Sequence, residues 1–494
     1  MKCRVSVLRS GWWKLLFPAF LCACSTAVVQ TPLKTSAAAA PTESAVPAPA
    51  AHVPATYEVG PSAKLKTPND VPWDKLQAGD TVLIHWRPAP YKSKWVIAVE
   101  GTEQAPITIR GVAGPKGELP VIDGESATTS KHCDYWGEAR GVVKIGGARN
   151  ANKIGSKWIV IENLDITTAR PKFSFTDSKG KEGKYVRNAA ALWVEHAEHL
   201  IIRNCSLHDA GNGLVVSSND KYAAEDILVE NCHIYDNGDV SGFEHNVYSE
   251  AKGITFQYNW FGALHKGAVS NNLKDRSSAC IIRYNWFDGG DKVLDLVDAE
   301  DSKIIREDPR YRQTFVYGNV LLKRTAVHAQ VVHYGGDSGK PSMFRKGTLY
   351  FYNNTVVSTR KGGTELFRLQ TDDEICDARN NIFFTEDPGR SLSLLRYGKG
   401  ILTLNNNYLK PGYRHCGEAK DGIIRGEKSN VLDAVSPFID VYGDDFHLSA
   451  KSVCRGSAAP LAPQALPIDR EYKKHQSSTP IPAGTKLSIG AFQP

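Results

Sequence analysis

Ionisable side chains crowd the middle of this 494-residue chain. His245 and Tyr248 are followed by Asn271, Asn272, Lys274, Asp275 and Arg276, then by Asp295, Asp298, Glu300 and Asp301, then by His333, Asp337, Arg345 and Arg368. Lys274 and Arg276 are suited to neutralising a bound anion. Lys274, His245, His333 and Tyr248 are candidates for moving protons, Lys274 as a base if its pKa is depressed. The four carboxylates after Asn285 offer acid and base pairs or, with asparagine carbonyls, hard ligands for Ca²⁺. Asp298 and Glu300 are the candidate metal pair.

These groups are placed by a repeat. Cys232, Asn259 and Asn285 each have an apolar residue five before, three before and two after them. That is alternation with a kink, so two short strands meet at a corner. The template also fits Leu164, Cys205, Asn319, Asn354, Asn381 and Asn407, weakly only at Thr314 and Ala378. Steps between them are 26 or 27 residues, widened by insertions to 34, 35 and 41, which marks a solenoid whose single repeat cannot bury its own apolar face. Such a coil holds about three short strands paired in parallel with those of its neighbours, an all-β parallel β-helix, right-handed by the crossover rule. Asparagine suits the corner because it tolerates left-handed backbone angles and bonds to the asparagine of the next coil, roughly 4.8 Å away. Asn259 to Asn407 therefore read as an asparagine ladder.

The repeat also gives a phase. His245 and Tyr248 lie 13 and 16 residues after Cys232, Lys274 and Arg276 lie 15 and 17 after Asn259, Asp298 and Glu300 lie 13 and 15 after Asn285, and His333 and Arg368 each lie 14 after their own corners. A lone charge at any of these positions is ordinarily a solvated surface group. Solvated charges scatter over all turns, whereas five coils here share one phase, and a groove across them follows. A β-helix core is filled, so function must sit on such an outer face.

The ends differ from the middle. Lys2, Arg4, Arg9 and Lys14 precede an apolar run from Leu15 to Ala23, the pattern of an export signal over residues 1–23. Leu21-Cys-Ala-Cys24-Ser resembles the lipobox of bacterial lipoproteins, which implies lipidation of Cys24 and a periplasmic or outer-membrane location. Cleavage nearby with release as a secreted protein is the alternative. Residues 24–56, rich in Ala and Pro, read as a tether, residues 57–435 as the β-helix, and residues 436–494 as a C-terminal cap whose prolines lie along the surface. Trp73 to Leu76 suggests a short N-terminal capping helix. The formal charge is +7, and without the four signal cations about +3 remains, too mild for a nucleic-acid partner. Cys205, Cys232, Cys280 and Cys376 fall on inward positions and read as core residues, while Cys133, Cys416 and Cys454 are left for at most one bridge. A monomer is expected. No phosphate-binding glycine loop, nucleophile elbow or zinc spacing is present.

Gly79-Asp-Thr-Val, the asparagine ladder and Asn272-Leu-Lys274-Asp-Arg276-Ser-Ser-Ala-Cys-Ile-Ile-Arg-Tyr-Asn-Trp-Phe resemble the β-helix polysaccharide lyases of the chondroitinase B and alginate lyase family. The β-helix resemblance covers most of residues 75–494, and the lyase-specific part about twenty. It implies an anionic polysaccharide substrate and places the catalytic base at Arg276 or Lys274. The paired glutamate calcium ligands of that family are not found, and the next coil offers Leu294-Asp-Leu-Val-Asp-Ala-Glu300 instead of an arginine. β-Elimination needs the uronate carboxylate neutralised, a base for the C5 proton and an acid for the leaving oxygen. Asn272, Arg345 and Arg368 are candidate substrate contacts, and Trp286, one residue past its corner, should point outward, either to stack on a sugar or to pack against a loop. Glycoside hydrolysis by the clustered carboxylates, and glycan binding without catalysis, are the alternatives.

Overall fold

The structure is a computed structural model describing residues 52–493, apart from 133–135, 148–154, 325–326 and 419–421. The signal, Cys24 and Cys133 lie outside the described residues. Alternating apolar residues bring the chain into a parallel β-helix of three long sheets, with 13, 14 and 11 strands among the described residues. In the first sheet, which begins at Thr56–Val59 and ends at Ile423–Arg425, Ile227, Ile254, Cys280, Thr314, Leu349, Cys376 and Leu402 pair in register as one column. All seven are buried, so the weak template match at Thr314 is still an inward position.

The corner column runs Cys205, Cys232, Asn259, Asn285, Asn319, Asn354, Asn381 and Asn407, and adds Asn430. From Asn259 onward each amide donates to the Oδ1 of the next coil's asparagine at 2.9–3.2 Å. The same oxygen also accepts the backbone N–H of the residue above it, for instance Asn259 N to Asn285 Oδ1 at 2.9 Å. The left-handed backbone, expected on these asparagines, sits one residue earlier. Asn163, Asn204, Asn231, Tyr258, Tyr284, Gly318, Asn353, Asn380 and Asn406 all have φ between 50° and 64°. Bending the chain and bridging the coils are thus divided between adjacent residues. Gly318 is required in its coil because the Tyr284 ring lies 2.4 Å from where a Cβ would stand.

The capping helix takes the form of one 3-10 turn, Pro68–Asp70, earlier than expected. Trp73 follows it, stacked on Trp95 at 5.0 Å, with its indole N–H donating to Pro68 O at 2.8 Å. At the other end the chain turns back along the outside of the coils. Residues 461–468 pack on Tyr284, Tyr317, Tyr350 and Tyr352, and the hairpin of Arg470–Lys473 and Ser477–Pro480 reaches the coil of Asn231. Trp286 does point out of its coil, but Phe446, Tyr472 and His475 cover it. It is therefore not a sugar platform. Cys205, Cys232, Cys280, Cys376 and Cys454 are buried thiols.

Candidate functional site

The strands of the second sheet are short, and each directs one side chain of the row away from the apolar core of its coil. In register these residues form one axial row: Lys144, Trp193, Val215, Tyr248, Lys274, Asp295, His333 and Arg368. Lys274 stands on Leu273–Asp275, with Leu273 and Asp275 turned into the core. The sheet thus brings Tyr248, Lys274, His333 and Arg368 into one line, and it sets Asp295 rather than Asp298 beside Lys274.

Two cations converge beside this row. Lys274 Nζ lies 2.5 Å from Asp337 Oδ2 and 3.8 Å from Asp295 Oδ2, and Arg276 NH2 lies 2.9 Å from Asp337 Oδ1. Lys274 is 14 % exposed and Arg276 only 5 %, whereas the Asp337 side chain is 30 % exposed. Burial lifts the Asp337 carboxyl, but Lys274 and Arg276 pull it below the usual carboxylate range. Arg276 also faces Asp298 Oδ1 and Glu300 Oε2, each at 3.6 Å, donates to the Asp298 carbonyl, and holds its guanidinium 5.7 Å from the Tyr248 ring centre. A guanidinium already fills the space between Asp298 and Glu300, so this donor set does not fit Ca²⁺. Asp337 is held from below. Its N–H donates to Asp298 Oδ1 at 2.8 Å, and the loop bearing it is closed by Arg345 N to Gly335 O at 2.7 Å. Arg345 is fully buried, with its guanidinium on Asp275 at 3.0 Å, so it anchors the loop and does not touch substrate.

His333 is buried, with Nδ1 2.7 Å from Asp295 Oδ1 and Nε2 3.0 Å from the side-chain amide of Gln370. Burial holds its pKa below the ordinary histidine value against the pull of Asp295. For Asp295 itself, burial acts upward, but His333, Lys292 and Lys274 bring the carboxyl far below its usual range. Arg368 Nε shares the Gln370 oxygen at 2.9 Å and meets Tyr397 OH at 2.8 Å. His245 is buried too. It accepts the Asn271 N–H at Nδ1, 3.1 Å away, and burial and Lys274 push it down to about 3. His245 therefore supports the row from beneath, and His333, although a member of the row, is covered and not open to the groove. Asn272, expected to touch substrate, is buried in a second asparagine pair, accepting from Asn246 Nδ2 at 2.9 Å.

Toward the N-terminal side, the row opens into a cleft of about 410 Å³ lined by Trp193, Val215, Tyr222, Phe243, Tyr248 and Asp301, among others. Phe243 is 78 % exposed at its mouth, and the buried indole N–H of Trp193 has no partner among the described residues. Burial raises the Tyr248 hydroxyl while Arg276 opposes the rise. Beside the cleft, the buried Glu250 accepts the Asp301 N–H at 3.2 Å, and burial together with Asp301 pushes its carboxyl up to about 8. Trp193, Phe243 and Glu250 are the groups that counting along the sequence missed as members of this site, and Asp337, noted there downstream of His333, had been given no role.

No protein-family model matches the chain, and no curated protein is similar in sequence. Among solved structures, it is similar to pectate lyase Pel9A, with 12 % identity and a TM-score of 0.47 over 90 % of this chain and 97 % of that one. Alginate lyase from Paenibacillus sp. str. FPU-7 gives 12 % identity and a TM-score of 0.40 over 72 % and 95 %. The GH136 lacto-N-biosidase from Eubacterium ramulus gives 12 % and 0.42 over 77 % and 68 %.

Proposed function

We propose that the chain is an enzyme that cleaves an acidic polysaccharide lying along the outward row of the second sheet, and that it does so by β-elimination. The observation that carries this reading is the convergence of Lys274 Nζ and Arg276 NH2 on one carboxylate-sized position, beside Tyr248 and next to the aromatic cleft. The two cations hold the uronate carboxylate and drain charge from the adjacent carbon, which acidifies the C5 proton. Tyr248 takes that proton and returns it to the leaving oxygen as the C4–O bond breaks and the C4–C5 double bond forms. The Arg276 guanidinium beside its ring works against the burial that otherwise holds the phenol protonated. Trp193 and Phe243 stack on a neighbouring sugar, and the Trp193 N–H meets a hydroxyl.

One observation favours a second reading. With a carboxyl at about 8, Glu250 is protonated at neutral pH and has the state of a general acid, as glycoside hydrolysis requires. Acidic and neutral polysaccharides assayed for unsaturated ends and for new reducing ends, with and without chelator, separate the readings. Unsaturated ends, insensitive to chelator and reduced at least about 100-fold by Lys274→Ala, are the expected result. Reducing ends alone identify a hydrolase. Retention of polymer with no new ends identifies a glycan-binding surface protein. We further propose that Cys24 carries lipid and tethers the β-helix to a membrane through the Ala- and Pro-rich segment that follows it.

A further inference from the structure

Asp337 occupies the place that the proposed chemistry reserves for substrate. Its two oxygens are divided between the two cations, Oδ2 on Lys274 at 2.5 Å and Oδ1 on Arg276 at 2.9 Å, as the two oxygens of a uronate carboxylate would be. We infer that Lys274 and Arg276 form a carboxylate-binding site whose resident occupant is the Asp337 side chain, and that a substrate uronate enters by displacing it. The inference rests on the elimination reading for the identity of the incoming group, but the site itself rests on geometry alone.

Three features support displacement over a fixed ion pair. Asp337 is the most exposed of the three charged groups, at the edge of an otherwise anchored loop. That anchoring lies in the backbone and in Arg345, so rotation of one side chain clears the position while the loop stays in place. The cations, by contrast, cannot follow Asp337 outward. Arg276 is held from behind by Asp298 and Glu300, and Lys274 by Asp295. When the carboxylate leaves, two cations therefore remain aimed at one spot. An internal competitor that fills the site most of the time lowers apparent affinity by the fraction of time the site is open, so deleting it raises affinity in proportion.

The experiment is binding of D-glucuronate and D-galacturonate by calorimetry to the full chain and to Asp337→Ala and Asp337→Asn, with D-glucose as the neutral control. Both variants should bind a uronate at least about tenfold more tightly than the parent, with no change for glucose. Adding Lys274→Ala should abolish the gain. Asp337→Asn keeps the shape of the loop and guards against a folding defect in the alanine variant. Equal affinity in parent and both variants, or a gain that survives loss of Lys274, overturns the inference. If the gain appears while no polymer is cleaved to unsaturated ends, the carboxylate site stands and the elimination reading falls.

Discussion

Replacing Asn285 by alanine tests the ladder that sets the coils in register. Asn285 Oδ1 accepts from Asn259 N at 2.9 Å and from Asn259 Nδ2 at 3.0 Å, while its own amide donates to Phe256 O, Arg283 O and Asn319 Oδ1 at 2.9–3.0 Å. Asn259 Nδ2 keeps Val229 O, and Asn319 Oδ1 keeps the backbone N–H of residue 285. The alanine variant therefore strands one buried N–H and takes one donor from each of two carbonyls. An orphaned buried donor costs about 1–3 kcal/mol and each lost neutral bond about 0.5–1.5 kcal/mol, giving a destabilisation of about 2–6 kcal/mol. Aspartate sharpens the test, because it keeps the size and the accepting oxygen but sets its second oxygen against three acceptors. Its folded-state pKa must rise above the unfolded value of about 3.9, so the penalty is absent below that pH and grows as the pH climbs. Urea unfolding followed by circular dichroism should order the proteins wild type, alanine, aspartate at pH 7, with aspartate recovering toward alanine near pH 4. An alanine variant within about 0.5 kcal/mol of wild type, or an aspartate variant with no pH dependence, would refute the reasoning.

Trp193→Ala should raise KM for the cleaved polymer about tenfold with a smaller effect on kcat, because it removes stacking that substrate and transition state share. A fall confined to kcat would place the indole elsewhere in the mechanism. The Glu250 carboxyl, at about 8 in the fold against 4.5 ordinarily, contributes its stability below about pH 4.5 and loses it as the pH rises through 8. Glu250→Gln should match wild type near pH 5 and become the more stable protein by pH 9, and unfolding curves that stay parallel across that range would count against a buried acid. Cys24→Ala should move the protein from the membrane to the soluble fraction, and unchanged fractionation would indicate another anchor.

The fold was legible because its signal is repeated. One weak template, seen nine times, located the corner column and the inward positions of Cys205, Cys232, Cys280 and Cys376, all of which are buried. The site was legible only in part, because a fixed count from each corner assumes turns of equal length. The coil of Asn285 reaches the second sheet after ten residues, at Asp295, where the coil of Asn259 needs fifteen to reach Lys274. Counting therefore selected Asp298 and Glu300, which flank Arg276 beyond the strand. Trp193 was hidden by the long insertion after Leu164, although it stands within the strand Ala190–Val194. Local pattern also says nothing of what lies over an outward residue. Trp286 is covered by chain nearly two hundred residues further on, and Arg345 is drawn inward by Asp275 from two coils away.

The returning C-terminal segment changes the kind of transition expected when the protein unfolds. A bare solenoid couples each coil only to its neighbours, so it can fray from either end and unfold piecemeal. Here Asn231 is tied to Gln476, Tyr284 to Asp469, Tyr352 to Leu466, Asn353 to Ser488, Asn380 to Ala459 and Asn406 to Ser457. One segment stitches five coils, spread over a run of seven, from outside, and losing any of them loosens its hold on the rest. The middle of the helix, where the row of charges lies, should therefore open as a single cooperative block. Because those stitches come from residues 457–488, C-terminal to every coil they tie, the block cannot lock until that segment has been made, and the outer faces of Trp286 and of Trp260, which stacks on His475 at 4.1 Å, stay uncovered until then.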